Sequence, residues 1–173
     1  MTDILRPRRS VLYLPAANPR AIAKARTVDA DCIILDLEDA VAPDAKVEAR
    51  AAAVAAVAEC DWGHREVLIR VNSLSTVWSI DDFAAVAASH AAGIVVPKVD
   101  SAREAEEAVA RSHGKPVWAM IETPRAIFDA ADIAAVFGGR RVARVRVTRV
   151  ALPIEGEDLG AEGSQEAVGR TTE

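Results

Sequence analysis

Short apolar runs alternate along the chain with longer runs that have helical spacing. Residues 10–14 (SVLYL) predict a strand closed by Pro15, and residues 19–27 a helix with Asn18 as N-cap and Pro19 in its first turn. Residues 31–36 (DCIILD) predict a second, buried strand, and residues 43–59 a long alanine-rich helix. A third strand is expected at 66–71 (EVLIRV), then a helix at 80–89 with Ser79 as cap. The fourth strand falls at 93–96 (GIVV). The helix at 102–111 carries Ser101 as N-cap and Glu104 three residues on, a capping box. A fifth strand at 116–121 (PVWAMI) precedes a helix at 124–136 capped by Thr123.

Strands alternating with helices at this spacing imply βαβ units and a parallel sheet. The strands are continuous apolar runs, as expected where helices cover them. Such a chain closes either as an open doubly wound sheet or as a TIM-type (β/α) barrel. No G-x-G-x-x-G turn follows any strand, which weakens the dinucleotide-binding form and puts the barrel ahead. Residues 1–139 hold this α/β pattern and 140–173 form a divergent tail. Within the tail, residues 140–150 (RRVARVRVTRV) alternate basic and apolar positions and make a candidate sixth strand; beyond Pro153 the chain is rich in Gly and Glu. A full barrel needs about 200 residues or more. The expectation is therefore a barrel incomplete at its C-terminus, with about six of eight β/α units.

Composition narrows the function. Hydrophobic residues are 51% and charged residues 27% of 173, the balance of a soluble globular chain. Aromatics are 4% and the net charge is −5, which argues against a nucleic-acid partner. No stretch reaches the roughly 20 apolar residues of a membrane span, and the basic N-terminus has no following apolar region, so a cytoplasmic protein with no membrane partner is expected. Cys32 and Cys60 carry no disulfide or zinc spacing.

In parallel α/β folds, reactive groups gather where strands end. Strand two ends in Asp36-Leu37-Glu38-Asp39, strand three in Arg70-Val71-Asn72, strand four in Pro97-Lys98 and strand five in Glu122-Thr123-Pro124-Arg125. Any one of these is an ordinary solvated strand end; four together suggest a site. The carboxylates suit a hard divalent ion, and magnesium commonly uses one or two of them while keeping waters. Arg70 suits a carboxylate or developing enolate, because its fork donates in a fixed plane. His64, His90 and His113 lie in loops or at helix ends and read as solvated surface residues. No lysine sits mid-strand for Schiff-base chemistry; Lys98 alone lies near the mouth.

These segments also carry a family resemblance. RRSVLYLPAANPRAIAKA, ADCIILDLEDAVAPDAKVEAR, REVLIRVNSLSTVWSIDDFAAV, AAGIVVPKVDSAREAE and PVWAMIETPRAIFDA follow one another as in the citrate lyase beta-subunit-like branch of the HpcH/HpaI aldolase/citrate lyase family. The resemblance covers about Arg8 to Val136. It implies a TIM-type barrel, a Mg2+ cofactor with Mn2+ as the alternative ion, a homo-oligomer (often a trimer) and an acyl-CoA substrate. Carried over by position, Glu122 matches the metal-binding glutamate, and Arg70 the arginine at the substrate carbonyl or enolate. Glu38 and Asp39 match acidic residues near the metal and its waters. Arg9, Arg20 and Lys24 fall where the family offers basic groups to CoA phosphates. Gly156-Glu157-Asp158-Leu159 resembles the turn that supplies a second metal ligand, making Asp158 its candidate.

The implied reaction is metal-dependent cleavage of a citryl- or malyl-CoA-type 3-hydroxyacyl thioester to acetyl-CoA and an oxo acid. Arg70 would stabilise the departing enolate, and Glu38 or Asp39 would act as the base, directly or through water. One alternative is a metal-dependent aldolase releasing pyruvate from a 4-hydroxy-2-oxo acid. A further one is a non-catalytic remnant or a subunit of a larger assembly.

Overall fold

The computed structural model describes residues 8–137. Five strands form one wholly parallel sheet in the order β1 (Val11–Pro15), β2 (Cys32–Asp36), β3 (Glu66–Arg70), β4 (Gly93–Val96), β5 (Val117–Ala119). Between and after them run helices α1 (Pro19–Ala25), α2 (Lys46–Glu59), α3 (Ser79–Ala88), α4 (Ala102–Arg111), α5 (Pro124–Phe128) and α6 (Ala130–Val136). The strand order follows the chain and never reverses, so the sheet lacks the switch point of a doubly wound fold.

Strand alternation divides the core in two. Ile33, Leu35, Ile69, Ile94 and Val96 point to one face, where they pack with Ile22, Ala53, Phe83, Val86, Ala105, Ala126 and Ile133, residues drawn from all six helices. Cys32, Ile34, Leu68, Val95, Trp118 and Met120 form a separate cluster on the other face, with no helical residue in it. Helices on one face only, together with the sequential order, are consistent with a partial TIM-like barrel. Gly93 allows close packing where β4 meets β5: a Cβ there would stand 2.8 Å from the Pro116 carbonyl oxygen and 2.9 Å from Leu68. Among the described residues no helix is long and apolar enough to cross a membrane.

The predicted caps mostly form. Asn18 and Thr123 accept from the amides of Ala21 and Ala126. Ser101 accepts from Glu104, but the returning bond of the capping box goes to the amide of Asp100, one residue earlier than expected. Several expectations are corrected. Ser79 is the first residue of α3 rather than its cap; its hydroxyl donates back to the Leu74 and Thr76 carbonyls instead. The long helix from Pro43 begins as a 3-10 turn (Pro43–Ala45) and becomes α-helical only at Lys46. The helix after Thr123 breaks at Asp129 into α5 and α6, and the fifth strand is shorter than its apolar run. The candidate sixth strand lies outside the described residues.

Candidate functional site

The strand register builds the site. Asp36 pairs with Arg70, Arg70 with Val95, and Val95 with Trp118, a single row across four strands. Ile34 and Leu68 belong to the helix-free face, so two residues on, at the carboxyl ends, Asp36 and Arg70 point the same way. The result is a fork-to-fork pair: Arg70 Nε and Nη2 donate to the two Asp36 oxygens at 2.7 and 2.6 Å, both residues buried. Asp36 also accepts from the amides of Glu38 (2.8 Å) and Ala40 (3.2 Å), folding the acidic loop over the arginine. Burial disfavours the charged guanidinium, but the hydrogen bond and charge of Asp36, then Glu38 and Asp39, outweigh it and hold Arg70 firmly protonated. Tyr13 lies beneath, its ring 5.4 Å from the guanidinium carbon, and burial pushes its phenol up to about 12.

Two loops converge on Arg70. Its Nη1 lies 3.0 Å from Glu38 Oε2 and 3.6 Å from Asp39 Oδ2. The Glu38 contact lacks hydrogen-bond geometry, so Oε2 is, among the described residues, the buried side-chain oxygen left without a hydrogen bond. Glu38 is only 6% exposed, and desolvation raises its pKa against the pull of Lys98 and Arg70. Lys98 Nζ donates to Glu38 Oε1 at 2.8 Å and lies 3.7 Å from Asp39. The Lys98 amide meanwhile donates to Glu122 Oε1 at 2.8 Å. Lys98 adopts φ 54, a left-handed conformation uncommon outside glycine. Such conformations cluster at functional sites.

Three supports of this mouth carried no sequence-level assignment. Buried Lys46 donates to the Leu37 and Glu38 carbonyls at 2.7 and 2.6 Å and sits 5.3 Å from the Trp78 ring. It anchors the acidic loop from below, and its burial lowers its pKa. A cation in the first turn of a helix opposes the helix dipole, and that anomaly was the available signal. Fully buried Asp82 accepts from the backbone and side-chain amides of Asn72 (2.9 and 2.7 Å) and from Arg50 (2.7 Å), fixing the end of β3. An acid in the first turn of α3 suits the dipole, so its sequence position gave no warning. Asp36 was legible only as the last residue of its strand.

The other candidates divide. Glu122 is exposed at the end of β5, beside Lys98. Arg20 and Lys24 are exposed on α1, four residues apart and so on one helix face, with Arg20 nearest the carboxyl end of β1. Arg9 precedes β1, so strand polarity puts it at the opposite end of the sheet, where it bonds Asp31. Five residues of strand, about 16 Å, separate it from the mouth. Asp158 lies outside the described residues. His64 is exposed, 3.8 Å from Asp29, in keeping with a surface histidine.

The donors present fit a hard divalent cation. Glu38, Asp39 and Glu122 offer only oxygen, and Glu38 Oε2 is a buried oxygen that is ion-paired with Arg70 but makes no hydrogen bond. Among the described residues no three acidic, His or Cys side chains already form a closed cation cage.

Comparison with known proteins points the same way. Residues 9–161 match the model of the HpcH/HpaI aldolase/citrate lyase family. The chain is 45% identical over 129 residues to a (3S)-malyl-CoA thioesterase of Cereibacter sphaeroides, an alignment covering 75% of this chain and 45% of that protein. It is 39% identical over 102 residues to an L-malyl-CoA/beta-methylmalyl-CoA lyase of the same organism, covering 57% of this chain and 32% of the lyase. Among solved structures, the citrate lyase beta subunit of Mycobacterium tuberculosis, complexed with oxaloacetate and magnesium, superposes with a TM-score of 0.62 at 34% identity, covering 75% of this chain and 55% of that one. The chain spans about half the length, or less, of the relatives it matches.

Proposed function

The chain belongs to the HpcH/HpaI aldolase/citrate lyase family, and from that premise we propose that it is a magnesium-dependent carbon–carbon lyase acting on a short 3-hydroxyacyl-CoA thioester of malyl or citryl type. The observation that carries this reading is the Asp36–Arg70–Glu38–Lys98–Glu122 chain of contacts, which joins the carboxyl ends of β2 to β5. The sheet belongs, in this proposal, to the wall of a TIM-type barrel.

The residues divide the work. A magnesium ion, when bound at Glu122, supplies Lewis-acid polarisation of the substrate's hydroxyl and carboxylate oxygens. Asp36 occupies Nε and Nη2 of Arg70 and so aims Nη1 at the mouth. From there Nη1 stabilises the negative charge that develops on the thioester oxygen as the enolate leaves. Glu38 accepts the 3-hydroxyl proton; its buried Oε2, which makes no hydrogen bond, and its raised pKa suit a base better than Asp39, which is 64% exposed. The carbon–carbon bond breaks, its electron pair becomes the acetyl-CoA enolate, and the carbinol carbon becomes the carbonyl of the oxo acid. This proposal assigns Arg20 and Lys24 to the CoA phosphates, and their exposure on one face of α1 supports that assignment.

Thioester hydrolysis is a second reading, favoured by the 45% identity to a malyl-CoA thioesterase. One experiment separates the two: the purified chain is incubated with malyl-CoA or citryl-CoA, with Mg2+ or with EDTA. Metal-dependent acetyl-CoA with an oxo acid identifies the lyase. Free CoA thiol with intact malate or citrate identifies the hydrolase. Neither product from folded protein overturns catalysis by this chain alone and supports the remnant or subunit reading.

A further inference from the structure

We propose that the Lys98 ammonium is a tethered counter-ion, holding the mouth's carboxylates until a divalent cation takes its place and the side chain moves out to solvent. This inference rests on the metal-dependent reading above and assigns a role to a residue that the reading leaves unused. Asp36 and Arg70 neutralise each other as a bidentate pair. Glu38, Asp39 and Glu122 remain; Arg70 Nη1 lies near the first two, and Lys98 brings a second cation to the same pair. Its Nζ bridges two of them, 2.8 Å from one Glu38 oxygen and 3.7 Å from Asp39. Carboxylates this close repel one another in a partly desolvated pocket, and a divalent cation entering beside Arg70 and Lys98 would repel the more exposed of the two.

Two features make Lys98 displaceable. Its side chain is 47% exposed while that of Glu38 is 7% exposed, so the lysine has a route to water and the glutamate does not. The Lys98 backbone is pinned separately, through its amide to Glu122 and at φ 54, so the side chain can leave without moving the loop. A strut that merely positioned Glu38 would instead help the cation bind.

Calorimetric titration of the full chain with Mg2+ alone tests this at low ionic strength. Lys98→Met removes the charge. Lys98→Asn removes it with a residue that tolerates the left-handed backbone. Both are expected to bind Mg2+ about tenfold tighter than the parent, an advantage that shrinks as salt rises. Lys98→Arg keeps the charge and is expected to stay within about twofold. In the unsubstituted chain, acetylation of Lys98 by acetic anhydride, followed by peptide mass spectrometry, is expected to accelerate once Mg2+ saturates; this needs no variant to fold. Weaker or unchanged Mg2+ affinity in both neutral variants, or acetylation that Mg2+ leaves unchanged or slows, overturns the counter-ion role while the metal-dependent reading stands. A parent chain that takes up no Mg2+ overturns both.

Discussion

The two ends of the sheet carry similar numbers of charged side chains and use them differently. At the amino ends, Arg8 pairs with Glu66, Arg9 with Asp31, and His64 lies near Asp29. These contacts staple neighbouring segments, and two of them are largely in solvent. Asp31 is held down to about 2, from 3.8, by the Arg9 side chain first and then by the Arg9 and Ser10 amides. At the carboxyl ends, Arg70, Asp36 and Glu38 are buried, and the network runs from β2 to β5, leaving one carboxylate oxygen unsatisfied. Closed pairs with every partner matched hold a rim together. A buried network with an acceptor that makes no hydrogen bond is unfavourable for folding alone.

The largest contrast is expected from Glu122→Ala. Metal-dependent turnover should vanish, while urea unfolding stays within about 0.5 kcal/mol because the side chain is exposed. Retained turnover would remove Glu122 from the metal site. Arg70→Ala should lower turnover roughly 10²–10³-fold. It should also cost about 3–5 kcal/mol in urea unfolding, since Asp36 and Glu38 would be left buried without their cation. Asp82→Ala, which touches no candidate substrate group, should still cost about 2–3 kcal/mol by stranding the buried Asn72 amide and Arg50. A neutral result would mean that the end of β3 is held by other means.

Smaller effects sharpen the contrast through pH. Burial raises the pKa of Glu38, so the folded state holds this proton more tightly than the unfolded chain, and stability falls as pH rises through that raised pKa. Glu38→Gln should therefore abolish turnover yet gain roughly 0.5–1 kcal/mol at neutral pH. A loss of stability would show that the ion pairs with Lys98 and Arg70 outweigh desolvation. Asp31 behaves oppositely. Its lowered pKa stabilises the fold above about 4, and the gain is lost as pH falls towards 2. Asp31→Asn should flatten the pH dependence of thermal unfolding in that window and leave turnover unchanged, the smallest effect of the set.

Much of this was readable from local pattern. Asn18, Ser101 and Thr123 each sit one residue before a helix and bond an amide three residues on, a contact set by neighbours in the chain. The helix break at Asp129 was not readable, because the apolar spacing continues through it. Glu38, Asp39, Arg70 and Glu122 were legible because strand ends in a parallel sheet share one rim. What Lys46 and Asp82 hold was not legible, since each stands in the first turn of a helix and only packing brings it to the loop it fixes. The rim on which Arg9 lies was not legible either, because a motif records spacing along the chain, whereas the direction of β1 decides which rim a flanking residue reaches.

The sequence by itself determined the alternation of strands and helices, the strand ends that carry charge and the family to which the chain belongs. Each depends on residue type and spacing over a few positions, or on motifs in order. Only the tertiary structure decided that Asp36 locks Arg70, that Lys98 reaches both Glu38 and Glu122, and that one Glu38 oxygen is left without a hydrogen bond. Those contacts join residues 24 to 60 positions apart, and only the register of neighbouring strands and the depth of burial bring them within hydrogen-bonding distance.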